Sequence, residues 1–212
     1  MVLLETLEIQ PEAARLLVID AQNDVCHDNS AYADSISGDS VRRDVCPIQE
    51  AVTDHLIPFL NRARSHGLPI GFVQSVYQLG QYSHSGISPK WLTVDPDLKD
   101  PEWRIRIYMD MPVQNEPSFQ KDTQETFTYK GTDNGLAGWL GEAEDILVAG
   151  FTTDGCVNKG VYALLERGYL PVVLEDCVAT SGHKIRTAHL ATLEGYRHHE
   201  IIRVVNSGNI VF

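Results

Sequence analysis

The stretch Ile146-Leu-Val-Ala-Gly150-Phe-Thr-Thr-Asp-Gly-Cys156, with Val157, Val161, Leu164 and Leu165 beyond it and Leu170-Pro-Val-Val-Leu-Glu-Asp176 after that, decides the fold class. It opens on an apolar run that is continuous rather than alternating, as a strand covered on both faces should be. A tight turn of small polar residues follows. Apolar positions at steps of three and four then mark one face of a helix, and the run after Gly168 reads as the next strand. Strand, helix and strand in that order make a βαβ unit, whose strands run parallel.

The same rhythm extends in both directions. Ala14-Arg-Leu-Leu-Val-Ile-Asp20 is another continuous apolar run, and a helix follows through Ile48, Val52, Leu56, Phe59, Leu60 and Ala63. Pro47 suits its first turn and Gly67 its exit. Leu68 to Val76 reads as a strand, residues around Ile185, His189, Leu190 and Leu193 as a helix, and Ile201 to Val205 as a last strand. The expected architecture is α/β with a mostly parallel sheet, in one domain over residues 1–212. From about Tyr77 to Ser118 the rhythm breaks into a stretch rich in Pro, Gly, Ser and aromatics, including Trp91 and Trp103. Its aromatic content disfavours disorder, so it reads as a lid or pocket wall over the sheet.

Composition excludes several function classes. The chain has 212 residues, 43% hydrophobic and 22% charged, within the ordinary globular range. Its 17 Lys and Arg against 29 Asp and Glu leave a net charge of −12, which repels phosphate backbones and anionic headgroups and argues against nucleic acid or membrane as partner. No apolar run reaches the roughly 18 residues that span a bilayer. The N-terminus lacks the basic segment of a signal peptide. Cys26, Cys46, Cys156 and Cys177 form no CxxC and are too sparse for a disulfide framework, which points to the reducing cytoplasm.

Ligands of open parallel sheets bind beyond the carboxyl ends of the strands, and two such ends carry unusual residues. Asp20 terminates a buried strand, where desolvation favours the protonated carboxyl and suits a proton acceptor; capping the turn is the equal alternative. Cys156 follows a strand and a tight turn at the opening of a helix. There the unpaired N–H groups and the helix dipole are expected to lower the thiol pKa and to face an oxyanion on an attacked carbonyl. The alternative is a small buried hydrophobe, the reading given to Cys26, Cys46 and Cys177. A phosphatase-type loop would need an Arg where Tyr162 stands, and no GxGxxG, GxxxxGK[ST] or HExxH occurs. His198-His199 reads as a solvated helix end rather than a metal site. A histidine base for the cysteine stays open, with Asp20 competing for the role.

Leu17-Val-Ile-Asp20-Ala-Gln22-Asn-Asp24, Val148-Ala-Gly-Phe-Thr-Thr-Asp-Gly-Cys156-Val157 and Gly168-Tyr-Leu-Pro-Val-Val-Leu-Glu-Asp176-Cys-Val-Ala-Thr180 together resemble the isochorismatase-like cysteine hydrolases, over about residues 14–205. That resemblance implies a Rossmann-like three-layer α/β/α sandwich, usually a homo-oligomer (dimer or tetramer), and an Asp-Lys-Cys triad that cleaves small amides through a thioester. Asp20 would be the base and Cys156 the nucleophile. The lysine would be Lys121, after a Pro-containing turn and short strand, or Lys130 beside Gly131. A cis peptide at Phe151–Thr152 would aim the N–H groups of Thr152 and Cys156 at the oxyanion.

The expected substrate contacts are Gln22, Val25, Tyr77, Trp91 and Tyr129. Val25 and Cys26 stand where the family continues to an aromatic residue. Nicotinamidases of the family hold a metal through Asp-x-His and a later His, whereas here only His84 is available. The resemblance therefore implies a metal-independent enzyme without cofactor, acting on a small amide-like molecule. Vinyl-ether cleavage of isochorismate is the alternative chemistry, disfavoured because members performing it generally lack the cysteine. A non-catalytic binding protein of the same fold is the third reading.

Overall fold

A computed structural model describes residues 6–28, 45–76, 101–111, 115–180 and 183–212. Its centre is a six-stranded, all-parallel sheet built from β2 (Ala14–Ile19), β3 (Ile70–Ser75), β4 (Ser118–Lys121), β7 (Asp145–Phe151), β8 (Leu170–Ala179) and β9 (Arg203–Val205). The spatial order is β4-β3-β2-β7-β8-β9. A short parallel pair joins β1 (Leu7–Glu8) to β10 (Ile210–Val211), and β5 (Thr128–Tyr129) with β6 (Thr132–Asp133) forms an antiparallel hairpin.

Alternation along each strand explains the layers. On β2, Leu16 and Val18 enter one core cluster while Leu17 and Ile19 enter the other; on β7, Leu147 and Ala149 oppose Ile146 and Val148. Both faces are therefore covered, which is why the strands read as continuous apolar runs. Ile48, Val52, Leu56, Phe59, Leu60 and Ala63 cover the first face. Val157, Val161, Leu164, Leu193 and Tyr196 cover the second. The result is the three-layer α/β/α arrangement. Each fully buried Leu, Ile, Val or Phe in these layers contributes roughly 1.5–3 kcal/mol.

Several local expectations needed correction. After the single turn α1 (Asn23–Cys26), the helix over the first face is α2 (Cys46–Glu50), a π-helical segment (Ala51–Leu56) and α3 (Ile57–Ser65), a widened turn that apolar spacing does not reveal. The fourth expected strand runs on to Ala179, and the fifth begins at Arg203 rather than Ile201. Leu190, one of the residues that marked the helix before the last strand, is 54% exposed. Most of the excursion lies outside the described residues. Its described parts hold α4 (Pro101–Ile105), a short 3₁₀ turn at Tyr108–Asp110 and the beginning of β4, beyond which α5 (Leu136–Leu140) leads into β7. Among the described residues no helix is long and apolar enough to cross a membrane.

Two glycines allow the layers to approach. Gly150, at φ +119°, lies so near β2 that an added Cβ would sit 2.0 Å from the Ile19 carbonyl oxygen. Gly160, in α6 (Asn158–Leu165), lets that helix settle on Ile19, whose Cδ1 would be 2.5 Å from such a Cβ. Both contacts fall at the end of β2 that leads into Asp20.

Candidate active site

From the central β2 the chain builds outward on one side through β3 and β4, then returns to build the other side from β7. The strand order thus reverses between β2 and β7, and a ligand crevice is expected beyond the carboxyl ends there. Asp20 follows β2 with φ 52°, a left-handed conformation that turns the chain sharply at the strand end. β7 ends in the cis peptide Phe151–Thr152, and the chain continues into a wide π turn, Thr153–Val157. Within that turn Gly155 takes a non-helical φ of −111° and ψ of −108°, where a Cβ would press on Thr152 Oγ1 at 2.7 Å.

Lys121 ends β4, two strands from β2. Its ammonium donates to Asp20 Oδ2 at 2.9 Å and to Cys156 Sγ at 3.1 Å. Asp20 is 1% exposed and Lys121 fully buried. Burial of two opposite charges is sustained only by such close, hydrogen-bonded pairing. Lys130 lies elsewhere: on the hairpin at φ 51°, with Nζ 5.0 Å from the Tyr129 ring centre.

The electrostatics reverse one expectation. Burial pushes the Cys156 thiol up to about 11 and the Asp20 carboxylate adds to the rise, while Lys121 lowers it without cancelling the other two. A helix N-terminus alone would have lowered it; the desolvated setting beside a carboxylate outweighs that. With its pKa raised that far, the sulfur holds its proton at neutral pH. Cys26 and Cys177 are buried, as expected, and burial raises both thiols, whereas Cys46 is exposed.

The expected substrate contacts fare differently. Gln22 accepts from the Ser75 N–H at 2.8 Å and donates to the Ser75 carbonyl at 3.0 Å, so its amide clamps the end of β3 onto the turn after Asp20. Val25, 8% exposed, packs into the core cluster that holds Ile48 and Val52. Both were expected to touch substrate; the contacts the structure gives them are the Ser75 hydrogen bonds for Gln22 and the core cluster for Val25. Tyr129 is half-buried on the hairpin. Tyr77, Trp91 and His84 lie outside the described residues.

Sequence reasoning missed the contacts that hold the site together. Asp24 pairs with Arg104 at 2.7 Å, and Asn23 Nδ2 donates to the Trp103 carbonyl at 3.0 Å, fastening the 103–108 segment over the motif that begins with Asp20. Thr180 donates to Asp154 at 2.8 Å, and Thr153 Oγ1 lies 2.8 Å from His189 Nδ1. Separations of 26 to 80 positions leave no local signal for any of these. His198, far from the sulfur's turn along the chain, pairs with Glu194 on the exposed helix end. Among the described residues no group of three or more His, Cys, Asp or Glu side chains is arranged to hold a metal ion.

Comparison with known proteins gives a consistent fold. The family model described as Isochorismatase domain matches residues 14–204. A cysteine hydrolase structure from Pseudomonas syringae pv. phaseolicola aligns at TM-score 0.70 and 17% identity, covering 97% of this chain and 93% of that one. An isochorismatase-like hydrolase from Alkaliphilus metalliredigens aligns at 0.67 and 18% identity, over 92% and 94% of the two chains. A nicotinamidase from Bacillus subtilis aligns at 0.68 and 16% identity, over 92% and 99%. No curated protein sequence matches.

Proposed function

The chain belongs to the isochorismatase family, and from that premise we propose that it is a metal-independent cysteine hydrolase cleaving a small amide or related C–N bond. The observation that carries this reading is the single ammonium of Lys121 bonded to both the Asp20 carboxylate and the Cys156 sulfur.

The chemistry follows from that contact. Asp20 takes the thiol proton as Cys156 Sγ attacks the carbonyl carbon, so no standing thiolate is needed. The C–S bond forms and the carbonyl electrons move onto oxygen, which the N–H groups of Thr152 and Cys156 receive. The intermediate collapses as the C–N bond breaks, and the amine departs with the proton Asp20 had taken. Water, deprotonated by Asp20, then attacks the thioester; the acid leaves and the sulfur regains its proton. Lys121 holds carboxylate and sulfur in one geometry throughout. The net reaction is amide plus water to acid plus amine. An aryl amide of the nicotinamide kind, the substrate named for one structural neighbour, belongs to the class proposed.

Hydrolysis of a small-amide panel by the purified protein, compared with Cys156→Ala, tests the proposal: loss of turnover is expected, and retained turnover on any identified amide would refute the nucleophile. The homo-oligomer is part of the same proposal, and sedimentation velocity checks it.

A further inference from the structure

We infer that His189 and Thr153 form one positioning unit that fixes the turn carrying Cys156, so that α7 (His183–Arg197) acts as a splint for the sulfur. The inference rests on the reading of Cys156 as nucleophile and adds two residues outside the triad.

Thr153 is fully buried and stands directly after the cis peptide, three positions before the sulfur. Its hydroxyl lies 2.8 Å from Nδ1 of His189, which reaches in, half-buried, from α7. With Nδ1 unprotonated, the hydroxyl donates to it. A second hydrogen bond from the same helix runs from the Tyr196 hydroxyl to Asn158 Oδ1 at 2.9 Å. The helix therefore grips the chain on both sides of Cys156. A third tie, Thr180 to Asp154 at 2.8 Å, comes from the end of β8. The turn between these anchors is wide, and Gly155 within it is non-helical, so its own backbone pattern determines its shape less than a regular helical turn would. Side-chain anchors from neighbouring elements supply the rest. Misplacement of a reacting atom by about 1 Å costs up to 10²-fold in rate, which is why a contact remote from substrate registers in chemistry.

The experiment uses p-nitrophenyl acetate as acyl donor. The acetyl carbon bonds to Sγ as its bond to the phenolic oxygen breaks, p-nitrophenolate leaves, and the thiol proton passes to Asp20. The p-nitrophenolate burst and the intact mass report acetylation of Cys156. Thr153→Val and His189→Phe should each slow the burst by about tenfold. The double variant should be no slower than either single one, because both remove one shared bond. His189→Asn, whose side-chain amide can stand in for Nδ1, should restore the rate to near that of the unsubstituted protein, and Thr153→Ser should retain it. Thermal melts of all five show that each is folded. Single variants at the unsubstituted rate, losses that multiply in the double variant, or a His189→Asn burst as slow as His189→Phe would overturn the splint alone. Absence of an adduct on Cys156 in the unsubstituted protein would overturn the nucleophile as well.

Discussion

Lys121 Nζ donates to Asp20 Oδ2 at 2.9 Å although their strands are not neighbours: β3 stands between them. A lysine is long enough to reach past the end of β3, and its full burial means water does not screen the pair. Pairing across two strands ties the edge of the sheet to its centre and places an ammonium against the sulfur of a third strand–helix turn.

Removing that ammonium should therefore hurt twice. Lys121→Met leaves a buried carboxylate unpaired, at a cost of about 3–5 kcal/mol in denaturant unfolding, and should abolish acylation of Cys156. Lys130→Met, on the hairpin, should shift stability by no more than about 0.5 kcal/mol and leave acylation intact. Equal effects of the two substitutions would reject the assignment of Lys121.

The raised thiol predicts an unusual pH profile. Alkylation of Cys156 by iodoacetamide should keep rising between pH 9 and 11, towards a midpoint near 11, instead of levelling near the ordinary cysteine value of about 8.5. Stability follows with a definite sign. Above pH 9 the unfolded thiol loses its proton while the folded one keeps it, so stability from this group is complete below about pH 9 and declines as pH rises towards 11. Unfolding of the protein and of Cys156→Ala, compared from pH 8 to 11, isolates that contribution; a difference constant across the range would contradict it.

Gly150→Ala should destabilise by at least about 3 kcal/mol or prevent folding, because the new methyl would lie 2.0 Å from the Ile19 carbonyl at a φ of +119°. Gly195→Ala, inside α7 with nothing within 4 Å, should instead stabilise by about 0.4–1 kcal/mol. Circular dichroism melts distinguish the two.

Gln22→Leu should cost about 1–3 kcal/mol, since it strips the Ser75 N–H and carbonyl of their buried partners. The loss should register in urea titration. An unchanged midpoint would return Gln22 to the substrate side of the crevice.

How much of this was legible in the chain depends on where each residue sits. Leu16 to Ile19 and Ile146 to Ala149 announced themselves because burial on both faces removes polar alternation. Asp20 and Cys156 stood out as polar residues ending such runs, and the crevice rule placed both at one end of the sheet. The edge strand Ser118–Lys121 was opaque to patterning, since two of its four residues are exposed or half-buried and a third is a lysine; only the family resemblance pointed to it. Lys121 and Lys130 looked alike because a buried ion pair between distant strands leaves no local trace. Helical spacing located α7 but not which of its apolar residues face the core: Leu193 is buried and Leu190 lies outward. The thiol was misjudged for a related reason: the helix terminus is local, whereas the burial that outweighs it belongs to the assembled fold.

The most direct test is the mass of the protein itself. Acid-quenched mixtures with a panel of small amides, read by intact mass and peptide mapping, should show an acyl group on Cys156 and on no other cysteine, its mass naming the acid half of the substrate. An amide hydrolysed with no adduct on Cys156, and at an undiminished rate by Cys156→Ala, would contradict the proposed nucleophile.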